Sequence, residues 1–113
     1  MLVTDAMPCV GTDQRTFMLQ GRRISVEDGY CVDEQGTLAG TALTMAAAVR
    51  NAVALLGVEL SEAIAMASEV PASFLGLAGR LGRIAAREQA NLVEADDDLN
   101  VTATWIDGER NTG

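Results

Sequence analysis

The chain has 113 residues, with 16 acidic side chains against 8 basic ones, a net charge of -8 and no histidine at all. That surplus repels phosphate backbones and anionic headgroups, and no basic stripe offsets it, which argues against nucleic acid and membrane surfaces as partners. The length suits one domain able to bury roughly two-thirds of its unfolded surface.

The chain opens on an apolar run, Met1-Leu2-Val3-Thr4, that delivers one carboxylate, Asp5, to its carboxyl end. Strand ends of this kind are where α/β proteins put reactive groups, because the strand fixes the backbone while the next loop opens a crevice. Local sequence taken alone favours a plainer role for Asp5, a loop cap after a strand. The loop that follows, to about Thr16, holds Pro8 and Gly11 and would border a site at Asp5. Short β segments are expected at Phe17–Leu19, Arg22–Val26 and Tyr30–Val32, punctuated by Gly21, Asp28-Gly29 and Gly36, as a small meander. Asp33-Glu34-Gln35-Gly36 reads as a β-turn. Arg22-Arg23 is too short for an anion site and reads as a strand surface.

Thr44 is an N-cap candidate, and Met45, Ala48, Val49, Ala52 and Leu56 recur at helical spacing until Gly57 stops the run. A second helix is expected from Ser61 to Val70, ended by Pro71, with Pro71–Leu75 opening another short helix that Gly76 or Gly79 terminates. The apolar stretch from Met45 to Leu60 is broken by Arg50, Asn51 and Gly57, and the N-terminus lacks the basic flank of a signal peptide, so a soluble, cytoplasmic protein is expected. Beyond Gly82 the pattern returns to strands at Asn91–Ala95 and Val101–Ile106, with Asp107-Gly108 as a tight hairpin turn and too little chain beyond it for a full returning strand, as in a truncated or frayed end.

Few other groups invite chemistry. Cys9 and Cys31 lack a C-x-x-C partner and read as reduced, buried or loop thiols rather than a disulfide scaffold or zinc knuckle. Asp96-Asp97-Asp98 lacks the alternating ligands and turn glycine of a calcium site and reads as a solvated turn. The methionines at 7, 18, 45 and 66 read as packing residues, and Trp105 as a strand packing residue.

Two longer runs, Leu2-Val3-Thr4-Asp5-Ala6-Met7 and Asp33-Glu34-Gln35-Gly36-Thr37-Leu38-Ala39-Gly40-Thr41-Ala42-Leu43-Thr44-Met45, resemble the N-acetylglucosamine-6-phosphate deacetylases of the amidohydrolase superfamily. The likeness continues through Val49-Arg50-Asn51, Met66-Ala67-Ser68, Pro71-Ala72, Leu81-Gly82-Arg83-Ile84 and Ala90-Asn91-Leu92-Val93 to Thr104-Trp105-Ile106-Asp107-Gly108, so it covers essentially the whole chain. Ala85-Ala86-Arg87-Glu88-Gln89 departs from it, because the family usually shows a proline-glycine turn before the sandwich strand.

The resemblance implies an α/β fold: the C-terminal fragment of a metal-dependent (β/α)8 barrel, with its last strand, loop and following helices in residues 1–80, and part of an accessory β-sandwich in residues 81–113. It implies hydrolysis of the N-acetyl amide of N-acetylglucosamine 6-phosphate to glucosamine 6-phosphate and acetate, with Asp5 as general base and then general acid. The segment Leu38-Ala39-Gly40 would line the substrate pocket, with its backbone and small side chains shaping the sugar site. A divalent, zinc-type metal is expected in the complete enzyme, yet its glutamate and histidine ligands have no counterpart here, so the chain alone is expected to be inactive. A homodimer is expected of the complete enzyme. The alternatives are a non-catalytic packing or dimerisation module and a fragment of another amidohydrolase.

Overall fold

The residues from Phe17 to Thr41 alternate between core-facing and outward side chains and are cut by turn dipeptides, which is the recipe for antiparallel pairing. The computed structural model of the chain, which describes residues 1–111, forms four strands there: β1 Thr16–Leu19, β2 Arg22–Glu27, β3 Tyr30–Asp33 and β4 Leu38–Thr41. They lie in sequence order in one antiparallel sheet. The β1–β2 and β2–β3 turns, Gln20-Gly21 and Asp28-Gly29, have positive φ at both central residues, as two-residue hairpins with the natural strand twist require. Sequence reasoning finds the first three strands to within a residue or two and misses β4, whose Leu-Ala-Gly-Thr run is short and carries a glycine.

Beneath this sheet Ile24, Cys31 and Cys9 are buried, with Met7, Phe17, Leu19, Val26, Ala39 and Ala42 packed against them. The contacts divide the chain into two units, one of residues Val3–Ala48 and another of Met1–Leu2 with the chain from Val49 onward.

Helix α1 spans Met45–Leu56, as its spacing predicts. The Thr44 hydroxyl accepts the Ala47 N–H at 3.2 Å as the N-cap, and Gly57 closes the end with a left-handed φ of 68°. In the second unit Val49 and Ala52 of α1 bury with Ala63, joined by Leu2, Val53, Val58, Ala67 and Leu99.

Helix α2 covers Leu60–Ala67 and α3 covers Glu69–Phe74. The break therefore falls at Ser68 (φ -132°, ψ -68°), three residues ahead of the proline expected to cause it. The reason is local: Pro71 has no N–H to donate to Ala67 and sits without penalty only in a first helical turn, so the chain must restart before it. A second sheet follows, β5 Leu92–Ala95, β6 Val101–Ile106 and β7 Glu109–Asn111, antiparallel in that order. A short returning strand does form after Asp107-Gly108, and the remainder of the C-terminal segment, residues 112 and 113, lies outside the described residues. Trp105 is half-buried in β6, with the Arg110 guanidinium 5.8 Å from its ring centre.

Met1–Thr4, expected to be a strand, forms no ladder among the described residues. Its neighbour Ala6 makes a single parallel bridge to Thr41. A parallel strand needs flanking strands reached by crossovers, and the described residues offer it only the end of β4. Met18 and Met45 also depart from the packing expected of them, since both are exposed.

Candidate active site

Asp5 is exposed and stands in the left-handed region, φ 51°, a conformation that aspartate tolerates better than most residues and that clusters at functional positions. Its backbone is fastened to the end of β4. The Thr41 N–H donates to the Asp5 carbonyl at 2.9 Å, the Met7 N–H donates to the Thr41 carbonyl at 2.8 Å, and the Thr41 hydroxyl donates to the Thr4 carbonyl at 2.6 Å.

Gly40 explains how the two segments approach so closely. A Cβ placed there would lie 2.6 and 2.8 Å from the Met7 side chain and 2.9 Å from the Asp5 carbonyl oxygen, and the glycine has φ 150°. The close backbone approach at Gly40 is thus made by the Asp5 loop. Leu38, two residues earlier on the same face of β4, is exposed, whereas the side chain of Ala39 turns to the opposite face and joins the Cys9–Ile24–Cys31 core. The structure accordingly brings Asp5 and Gly40 together through the backbone and leaves Ala39 underneath.

The loop leading into β4 is tied down by Asp33. Its carboxylate accepts the N–H groups of Gln35 at 2.9 Å and Thr37 at 2.8 Å, while Arg22 pairs with it at 3.3 Å. The Thr37 N–H is the leading influence that holds this carboxyl below the usual range; burial opposes it, and the Gln35 N–H, the Thr37 side chain and the Arg22 charge assist. Gly36 donates to the Asp33 carbonyl at 2.9 Å, which is the expected turn. Sequence reasoning places the turn but misses the buried carboxylate that organises it.

Both thiols are free and buried, with their sulfurs 3.6 Å apart. Burial above all pushes the Cys31 thiol up to about 11, and the Cys9 hydrogen bond, the Cys9 charge and the Asp5 carboxylate add to it. At neutral pH Cys31 is a thiol and a poor nucleophile. Among the described residues no group of three or more histidine, cysteine, aspartate or glutamate side chains is placed to hold a metal. Asp96-Asp97-Asp98 is an exposed turn in which the Asp96 carboxylate accepts the Asp98 and Asn100 N–H groups.

In the second unit a cleft of about 380 Å³ opens beside α2 and the start of β5, lined by Ile64, Ser68, Arg83, Ile84 and Val93 among others. Its one cation, Arg83, is occupied by Glu88 at 2.9 Å and Glu69 at 3.8 Å. None of the residues predicted for the site lines it.

Among the described residues the geometry thus offers one positioned aspartate beside a glycine-bearing strand and no cluster of metal ligands. The sequence pattern of the Amidohydrolase family matches residues 10–110, and the chain belongs to that family. It is 45% identical over 96% of its length to the N-acetylgalactosamine-6-phosphate deacetylase of Shewanella sp. (strain ANA-3), of which it spans 27%. Among solved structures, the N-acetylglucosamine-6-phosphate deacetylase of Pasteurella multocida superposes with a TM-score of 0.93 at 39% identity, over 98% of this chain and 29% of that one. A variant of the Mycobacterium smegmatis N-acetyl-D-glucosamine-6-phosphate deacetylase, with an aspartate replaced by alanine and in complex with N-acetyl-D-glucosamine-6-phosphate, superposes with a TM-score of 0.79 at 34% identity, over 96% and 29%. The chain therefore spans between a quarter and a third of the length of these relatives. No helix among the described residues is long and apolar enough to cross a membrane.

Proposed function

We propose that this chain is the C-terminal part of an N-acetylhexosamine-6-phosphate deacetylase, an enzyme of amino-sugar breakdown that hydrolyses the acetyl amide of N-acetylglucosamine 6-phosphate. Residues 1–80 correspond in this reading to the end of a (β/α)8 barrel, with the Met1–Thr4 run as its last strand once parallel neighbours are present. Residues 81–113 correspond to part of the accessory sandwich. The complete enzyme is a cytoplasmic homodimer.

The single observation that carries the reading is the seating of Asp5 against β4 at Gly40 and Thr41, in a chain whose relatives share this activity over nearly its full length. Asp5 takes a proton from the water that attacks the acetyl carbonyl. As the C–N bond breaks, it returns that proton to the departing amine, which cannot leave as an anion. Leu38 and Gly40 shape the adjoining sugar pocket, with Ala39 supporting the strand from below. The divalent, zinc-type metal of the complete enzyme does not fit the residues of this chain, which has no histidine and no ligand cluster among its described residues, so its ligands belong to the remainder of the enzyme.

A second reading changes only the sugar. The higher identity is to a relative named for N-acetylgalactosamine 6-phosphate, the epimer at C4, which favours that substrate.

The test replaces the matching part of the Shewanella relative with this chain and measures acetate release from both sugar phosphates. Turnover that Asp5→Asn abolishes is the expected result, and the preferred epimer decides between the two sugars. The 113-residue chain by itself, with zinc added, is expected to be inactive; deacetylation by it that Asp5→Asn removes would sink the fragment reading.

A further inference from the structure

We propose that Thr41 is the positioning residue for the Asp5 carboxylate, acting through its side-chain hydroxyl; this rests on the reading of Asp5 given above. Three hydrogen bonds from this one residue bracket Asp5, at the Thr4 carbonyl before it, at its own carbonyl, and at the Met7 N–H after it. Two of the three are backbone bonds that any residue at position 41 other than proline could make. The third belongs to the hydroxyl, which donates to the Thr4 carbonyl at 2.6 Å and at the same time accepts the Leu43 N–H at 3.0 Å. The hydroxyl is thereby engaged as donor and as acceptor, and its orientation is fixed by the chain on both sides.

The consequence for Asp5 is geometric. A left-handed, non-glycine residue persists only where its surroundings over-determine it, because the conformation costs about 1–3 kcal/mol. With φ at 51° and no ladder on the Met1–Thr4 side, the peptide ahead of Asp5 is held to β4 by the Thr41 hydroxyl, and among the described residues no other hydrogen bond reaches the Thr4 carbonyl. Losing that bond frees the Thr4–Asp5 peptide to rotate, and the carboxylate swings with it. Misplacing a proton-transfer group by an ångström can cost on the order of a hundredfold in rate.

The experiment uses the hybrid enzyme in which this chain replaces the matching part of the Shewanella relative. Thr41→Val, which keeps the shape and deletes the hydroxyl, is expected to lower kcat by about tenfold to a hundredfold with KM unchanged. Thr41→Ser, which restores the hydroxyl, is expected to recover kcat. Gly21→Ala, in a hairpin turn away from Asp5 with open space around it, is the control for a merely less stable fold and is expected to keep kcat. A wild-type kcat in Thr41→Val, or a Thr41→Ser enzyme as impaired as Thr41→Val, overturns the proposal. Asp5→Asn in the same enzyme separates the two levels: unchanged turnover there removes Asp5 from the chemistry, whatever Thr41 does. Where the hybrid gives no turnover at all, the isolated 113-residue chain decides. The backbone chemical shifts of Asp5 are expected to leave their left-handed values in Thr41→Val and return in Thr41→Ser, and unchanged shifts overturn the proposal.

Discussion

Gly40→Ala would test whether the contact between β4 and the Asp5 loop is as close as the structure makes it. The new Cβ would meet Met7 Cγ at 2.6 Å, Met7 Sδ at 2.8 Å and the Asp5 carbonyl oxygen at 2.9 Å. The methionine could partly turn away. The carbonyl could not, because moving it breaks its 2.9 Å hydrogen bond from the Thr41 N–H. A backbone conformation that alanine rarely adopts costs about 1–3 kcal/mol, and overpacking a closed contact costs a similar ~1–3 kcal/mol. A total of about 3 kcal/mol is roughly a hundredfold in the opening equilibrium. Cys9 and Cys31, at 3% and 0% exposure in the core of the same unit, are built-in reporters of that opening. Thiol labelling under conditions where reclosing outpaces the reagent should therefore run roughly a hundredfold faster in Gly40→Ala than in the parent chain. Gly21→Ala supplies the comparison: its φ of 80° carries the left-handed penalty of about 1 kcal/mol, with nothing within 4 Å to clash. Equal labelling rates in the two variants would show that the Asp5 loop does not pack on Gly40, and the site geometry would fall with it.

Three further outcomes are expected of the isolated chain. Because Asp33 is held below its ordinary value in the fold, its contribution is full above about pH 4 and is lost as the pH falls further; Asp33→Asn should flatten the acid limb of a circular-dichroism titration, and an unchanged limb would deny the carboxylate its role in the turn. Cys31 has the opposite sign, since a thiol raised to about 11 keeps its proton in the fold where the unfolded chain has lost it, so stability should decline between about pH 9 and 11, and Cys31→Ala should abolish that slope. In the second unit, a Cβ at Gly82 would lie 2.9 Å from Ala72 Cβ and 3.0 Å from Glu69 Cα; Gly82→Ala should cost about 1–3 kcal/mol, read as a lowered urea midpoint of Trp105 fluorescence, and a wild-type midpoint would place that loop away from α3.

What the sequence can disclose follows the range of the interactions involved. Helix α1 is readable because its cap, its spacing and its stop all lie between Thr44 and Gly57, and the hairpins are readable because two-residue turns have their own chemistry. The α2–α3 break is misplaced by three residues because proline marks where a helix cannot continue, not where the chain chooses to restart. The Met1–Thr4 strand is read from apolar content alone, which cannot say whether a partner is available. Asp5 stands out from local sequence, whereas the Leu38–Gly40 segment enters only through family resemblance; nothing local says that segments so far apart in the chain touch.

The Asp5–β4 contact is also where the fold and the site become one question. A catalytic carboxylate is useful only if it is held more firmly than the solvent would hold it, and such support comes best from a rigid element. Here the rigid element is β4, closed against β3 and braced by the Asp33 turn ahead of it. Every group that fixes Asp5, from Gly40 beneath its carbonyl to Thr41 on either side, lies within the unit Val3–Ala48. The positioning of the aspartate is thus encoded separately from any metal, whose ligands this unit does not carry. It follows that the left-handed Asp5 conformation should already be present in the 113-residue chain, and that, if Asp5 is the acid–base group proposed above, its shape does not depend on the rest of the enzyme.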